Sequence, residues 1–217
     1  MATISSINWI SITSVSSFDW IAKASISNID WINIPSALTY ATRNPSDKNA
    51  NITLSSGNLV ATASNTAWKS VRATIWKSSG KWYWEVVTTK SGTWNAMIWV
   101  ARSSSSLSTY AGSTATDWSY YSYNGKLDAK NAFNNNVNIT YGTAFATGNV
   151  IGIALNMDAG ELTFYKNNVT QGTFTGLSGT MYPMVSPYDN TLYFTANFGA
   201  TTMVYTAPTW FNQGLYS

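Results

Sequence analysis

The chain has 217 residues, of which 45% are hydrophobic, 15% aromatic and only 10% charged, with no cysteine and no histidine. That is enough for one good-sized domain with its own core plus a short appendage, under a surface of Ser, Thr and Asn. A net charge of +3 from 12 basic and 9 acidic residues is too sparse for a nucleic-acid footprint, and the missing residue types exclude disulfides, thiolate nucleophiles, Ser-His-Asp triads and the usual zinc sets.

Short hydroxyl and amide side chains compete with helical backbone hydrogen bonds, so the composition predicts an all-β fold. Absence of cysteine suits a protein made in a reducing compartment and exposed later. No basic residue precedes Lys23 and no run of about 18 apolar residues occurs, so neither a secretory signal nor membrane insertion is expected.

The chain opens on a repeat. Ile4-Ser5-Ser6-Ile7-Asn8-Trp9-Ile10 recurs as Val15-Ser16-Ser17-Phe18-Asp19-Trp20-Ile21 and as Ile26-Ser27-Asn28-Ile29-Asp30-Trp31-Ile32, with a period of 11 residues. Such a period suits a right-handed helical supercoil. However, Ser, Ile, Val and Asn are weak helix formers, and short strands joined by Ser-Asn or Asn/Asp turns fit better. Units this small cannot bury three Trp, each of which removes ~150–250 Å² from water when buried. Either the arm folds back over its own domain or it contacts other chains. Exposed indoles of this size mark interfaces, so contact is favoured. Trp9, Trp20, Trp31, Ile10, Ile21 and Ile32 are the expected attachment residues. They would join sister copies, with a trimer favoured, or the proteins of a larger assembly.

Pro35 and then Arg43-Asn44-Pro45-Ser46-Asp47-Lys48-Asn49 read as a turn-rich hinge, dividing an arm at 1–36 from a domain at 37–217. Next, Asn51-Ile52-Thr53-Leu54 and Leu59-Val60-Ala61-Thr62 flank a hairpin turn at Ser55-Ser56-Gly57-Asn58. Val71-Arg72-Ala73-Thr74-Ile75-Trp76 alternates with period two, while Lys69, Arg72, Lys77 and Lys81 read as a solvated face. Trp82-Tyr83-Trp84-Glu85-Val86-Val87 and Ala96-Met97-Ile98-Trp99-Val100 are strand-like, and a Ser-rich loop follows from Ser103 to Ser106. The clearest hairpin pairs Asn149-Val150-Ile151-Gly152-Ile153-Ala154-Leu155 with Glu161-Leu162-Thr163-Phe164-Tyr165, before a turn at Lys166-Asn167-Asn168. Many short strands between turns predict two packed antiparallel sheets.

Four motifs, in order, carry a resemblance to SPRY domains. They are Gly80-Lys81-Trp82-Tyr83-Trp84-Glu85-Val86, the aromatic run from Asp117-Trp118 to Asn124-Gly125, the segment from Gly148 to Asn168, and Met181-Tyr182-Pro183-Met184-Val185-Ser186 with Asn197-Phe198-Gly199. The resemblance covers roughly 38–199. It implies a bent concanavalin-like β-sandwich that recognises partners through loops and has no catalytic residues. It also implies that Trp82, Trp84, Trp99, Trp118, Tyr120 and Tyr123 are core. Many SPRY domains have Asn-Gly where this chain has Asn167-Asn168, and Asn tolerates positive φ well enough to keep the turn. A Trp-repeat arm before such a domain is similar to bacteriophage virion proteins of fibre or decoration type, which implies a virion-surface location on capsid or tail.

The chemistry that remains is thin. The nine carboxylates form no Glu-x-Asp-x-x-Glu strand motif, Asp158 and Glu161 flank a turn, and Glu85 sits in a structural strand. Asp128, Asn131, Asn134, Asn135 and Asn136 offer oxygen ligands for calcium, but a single charge argues against a metal site. No cofactor and no enzymatic activity are expected. Loop aromatics are the better binding candidates, because flat rings stack on sugars and give contact area at low entropic cost. Trp94, Tyr110, Tyr188 and Asp189 are the expected ligand-binding loop residues, for a host-surface glycan or protein. The alternative is an intracellular SPRY-type protein-binding module.

Overall fold

The computed structural model describes residues 38–90, 95–114, 116–123, 132–134, 137–139 and 141–217. The three Trp repeats, Trp94 and most of the Asp128–Asn136 loop lie outside the described residues. The described residues form strands and no helix, in two sheets.

The first sheet contains β1 (Arg43–Lys48), β4 (Val71–Ala73), β13 (Tyr182–Pro187), β6 (Asn95–Ala101), β7 (Asp117–Tyr123), β8 (Ala132–Asn134) and β9 (Val137–Ile139), in that spatial order. The second runs β12 (Val169–Thr175), β11 (Glu161–Lys166), β10 (Val150–Asn156), β5 (Lys81–Lys90), β14 (Leu192–Asn197), β3 (Val60–Ala63) and β2 (Ile52–Ser55). A short β15 (Asn212–Gln213) adds to β5 in parallel, whereas every other pairing is antiparallel. The expected β-sandwich is present.

Strand alternation sorts the side chains. In β6, Ala96, Ile98 and Val100 join Trp84, Val86, Ile151, Ile153, Phe164 and Phe194 in the main core. Their neighbours Met97, Trp99 and Ala101 belong instead to a second cluster with Tyr121 and Met184, on the opposite face of the first sheet. Trp84 and Trp99 are both buried, but in different cores. Trp118 and Tyr120 are buried as expected, while Trp82 is only half-buried.

Both faces of β5 are covered, because the C-terminal segment closes its outer side. Glu85, 1% exposed, accepts hydrogen bonds from Val204 N (2.7 Å), Tyr205 N (2.8 Å) and the Tyr83 hydroxyl (3.1 Å). That is the structural role its strand position suggested. Opposite Glu85 stands Gly152, where a Cβ would lie 2.4 Å from the Tyr83 hydroxyl. Glycine is required there by close approach.

Three local expectations change. The segment read as a hinge, from Arg43 to Lys48, is the edge strand β1. Pro45 has no N–H to donate and is tolerated on an edge, and the register shifts between Arg43↔Ala73 and Lys48↔Val71. The alternating run from Val71 to Trp76 is a strand only through Ala73; Thr74 N still donates to Thr42 O at 2.8 Å, and the chain rejoins the sheet at the Lys77↔Met181 bridge. Arg72 leaves the solvated face altogether, being 4% exposed.

Candidate recognition face

The second cluster is where the loops meet. The segment joining β6 to β7 lies over Met97, Trp99 and Tyr121 and adds Leu107, Tyr110 and Ala111. It is tied down along its length. Arg102 donates to Ser178 O (3.2 Å) and Ser178 Oγ (2.9 Å), Ser70 N to Leu107 O (3.0 Å), and Asn49 Nδ2 to Ser108 Oγ (2.8 Å).

Arg72 is the centre of that anchorage. Its Nη1 pairs with Asp47 Oδ1 at 2.7 Å, its Nη2 donates to the carbonyls of Ser103 (2.9 Å) and Ser105, and its guanidinium lies 5.8 Å from the Tyr182 ring centroid. Ser105 Oγ donates in turn to Asp117, whose other carboxylate oxygen accepts from Thr114 N at 3.3 Å. A planar fork with five donors in fixed directions holds a carboxylate and two carbonyls in set positions, whereas a lysine ammonium is a point charge with three rotatable donors. Loop 102–116 is therefore set by a buried charge, despite its serine content.

Trp68 brings a second loop to the same place. Its ring meets Tyr121 edge-on at 6.0 Å and Tyr188 at 5.1 Å. Ala67 N donates to Tyr188 O at 2.9 Å, which joins the loop before β4 to the one after β13. Asp189 Oδ1 accepts from Thr191 N (2.9 Å) and Thr191 Oγ1 (2.6 Å), closing the turn into β14. Of the residues expected in binding loops, Tyr110 and Tyr188 thus converge on one half-buried aromatic patch, with Asp189 at its border.

Trp68 escaped the sequence reading. The available signal was a lone indole in Ser64-Asn65-Thr66-Ala67-Trp68-Lys69-Ser70, a segment otherwise too polar to bury one. Chemically the face offers fixed, amphipathic rings. Among the described residues no group of three or more acidic side chains stands together to hold a metal ion. Rings whose rotamers are already set lose little entropy on contact, which favours recognition.

A family model described as SPRY domain matches residues 81–201, more than half the chain. The chain belongs to the SPRY family. Solved SPRY domains agree in fold. The TRIM65 PSpry domain is 18% identical, with a TM-score of 0.60 over 73% of this chain and 90% of that one. The SPRY domain of human HERC1 is also 18% identical, with a TM-score of 0.59 over 71% and 96%. Stonustoxin is 20% identical, with a TM-score of 0.54, covering 73% of this chain and 27% of that protein. Among curated proteins, the probable ATP-dependent RNA helicase ddx1 of Dictyostelium discoideum is 28% identical over 148 residues. Those residues are 67% of this chain and 18% of the helicase, so the match spans under a fifth of that relative. The SPRY sandwich is a binding module.

Proposed function

We propose that this SPRY protein is a non-catalytic recognition component of a larger assembly, a phage virion fibre or decoration, that presents its loop face to a protein on a host surface. The observation that carries the recognition half is the convergence of Trp68, Tyr110 and Tyr188 on loops already held by Arg72 and Asp189. Aromatic anchors of this kind dominate binding energy when they sit at the centre of a contact. The attachment half rests on the repeats, with Trp9, Trp20, Trp31, Ile10, Ile21 and Ile32 meeting sister copies or other virion proteins. A soluble adaptor has little use for three such units, so the alternative of an intracellular SPRY-type module is the weaker reading.

Two measurements test it. Fluorescently labelled full chain is offered to host cells, with Tyr188→Ala and Tyr110→Ala expected to lower adsorption by ~10-fold each. Equal adsorption of all three proteins would remove the loop face from the proposal. Immunogold labelling of purified particles is expected to mark capsid or tail. Label confined to infected-cell lysate would overturn the virion role.

A further inference from the structure

A second concavity lies far from the loop face. Lys77 pairs with Met181 beside one end of β13, whereas Tyr188 follows its other end, about 20 Å away at ~3.3 Å per residue. Between the bulge after β4 and the start of β5 is a cleft of about 550 Å³, walled by Trp76, Trp82, Lys77, Thr74, Ser78 and Ser79. Its size falls within the range of small-ligand clefts.

The lining narrows what could enter. No Asp or Glu side chain lines it, and Ile75 and Ser217 complete the wall. Its one cation is already engaged: Lys77 Nζ sits 3.4 Å from the Trp82 ring centroid and donates to Tyr216 O at 2.6 Å. Trp82 is held too, its Nε1 donating to Ser79 O at 2.7 Å. What the cleft presents outward is the indole of Trp76, 48% exposed, beside three hydroxyl side chains. A flat apolar surface edged by neutral donors and acceptors matches one ligand class, a ring with an apolar face and equatorial hydroxyls.

A second indole stands near by. Asn212 pairs with Trp82 in parallel register and donates from Nδ2 to Lys81 O at 2.9 Å. Two residues before Asn212, in a turn closed by Phe211 N to Pro208 O at 3.0 Å, Trp210 is 84% exposed with φ +72°. A bulky residue in the left-handed region, at a turn position that suits Gly, is strained. Backbone strain of this kind clusters at ligand clamps and switch regions.

We propose that this cleft is a neutral-saccharide site, with a pyranose ring stacked on Trp76, its hydroxyls met by Thr74, Ser78 and Ser79, and Trp210 extending the platform for a longer chain. The site is independent of the loop face, and its test separates the two. Malto-, cello-, xylo- and chito-oligosaccharides, as trisaccharides and hexasaccharides, are titrated by calorimetry and tryptophan fluorescence into the full chain. At least one series is expected to bind at millimolar concentration or below and to quench tryptophan emission. Trp76→Ala weakens it ~5–10-fold, the size of one lost aromatic stack. Trp210→Gly, which suits the turn and so spares the fold, weakens the hexasaccharide more than the trisaccharide. Tyr188→Ala leaves sugar binding unchanged. No binding in any series, binding indifferent to both tryptophan substitutions, or binding lost only in Tyr188→Ala would each overturn the proposal.

Discussion

Two arginines show how differently the same side chain is used. Arg72 is buried with both Nη atoms employed, against Asp47 and two loop carbonyls, its guanidinium over the Tyr182 face and only Nε without a hydrogen bond among the described residues. Arg43 is buried completely, and none of its guanidinium nitrogens has a hydrogen-bond partner among the described residues. It lies 5.3 Å from the Phe198 ring centroid, and burial alone pushes its pKa down from the ordinary 12.5. A cation–π contact offsets part of the desolvation cost of a charge and leaves the donors unsatisfied. Arg43→Met is therefore expected to be neutral or to stabilise by up to about 3 kcal/mol, because a hydrophobic replacement removes an unpaired buried charge. Arg72→Met is expected to cost about 2 kcal/mol and to loosen loop 102–116, since three acceptors lose their donor. Chemical denaturation of both variants checks the pair, and a destabilising Arg43→Met would show that its charge has a partner.

At the scale of elements, the β10–β11–β12 meander shows how turn chemistry decides stability. Asn156↔Glu161 closes the first hairpin over Gly160, φ +66°, where a Cβ would meet Leu177 O at 2.5 Å. The second turn places Asn167 and Asn168 at φ 48° and 66°, the conformation expected of an Asn-Gly turn. Asn167 also accepts from Val150 N at 2.9 Å through its side chain, so it does more than bend the chain. Asn168, which is exposed, has only the strained φ. Asn168→Gly is expected to raise stability by about 0.5 kcal/mol, read as a higher melting temperature. Asn167→Gly is expected to lower it, because the buried strand amide loses its acceptor.

Across the whole molecule, the core is aromatic enough to make stability sensitive to alkali. Burial raises the pKa of Tyr83, helped by the charge of Glu85, and burial likewise raises Tyr120 and Tyr141. Their ordinary value is 10.0. Above that pH the unfolded chain gives up protons that the folded chain keeps. The stability these phenols contribute is thus fully present below pH 10 and lost as pH rises through their folded values. The melting temperature is expected to fall steeply above pH 10, together with a cooperative rise in tyrosinate absorbance. Tyr141→Phe is expected to make the fall shallower, and gradual tyrosinate formation ahead of unfolding would contradict the burial argument.

Composition, the period-two runs and the hairpin turns were enough to establish an all-β sandwich, because strand alternation and turn residues are local and act over a few positions. The Gly148 to Asn168 segment was legible for that reason. The same locality explains the errors at Arg43–Lys48 and Val71–Trp76: whether a polar, proline-bearing segment forms a strand depends on whether an edge is free beside it. Tyr110, Tyr188 and Asp189 were legible as loop residues. That Tyr188 shares a patch with Trp68, and that a buried Arg72 holds the loop, follows from side-chain contacts between positions far apart in the chain. The missing histidine and cysteine, by themselves, closed off imidazole, thiolate and disulfide chemistry within these residues, since an absent functional group is absent in any fold. Which of the tryptophans among the described residues are core, which line a cleft and which stand in solvent was decided only by tertiary structure. An indole is equally apolar in every position of the sequence, and only the packing around it determines whether water reaches it.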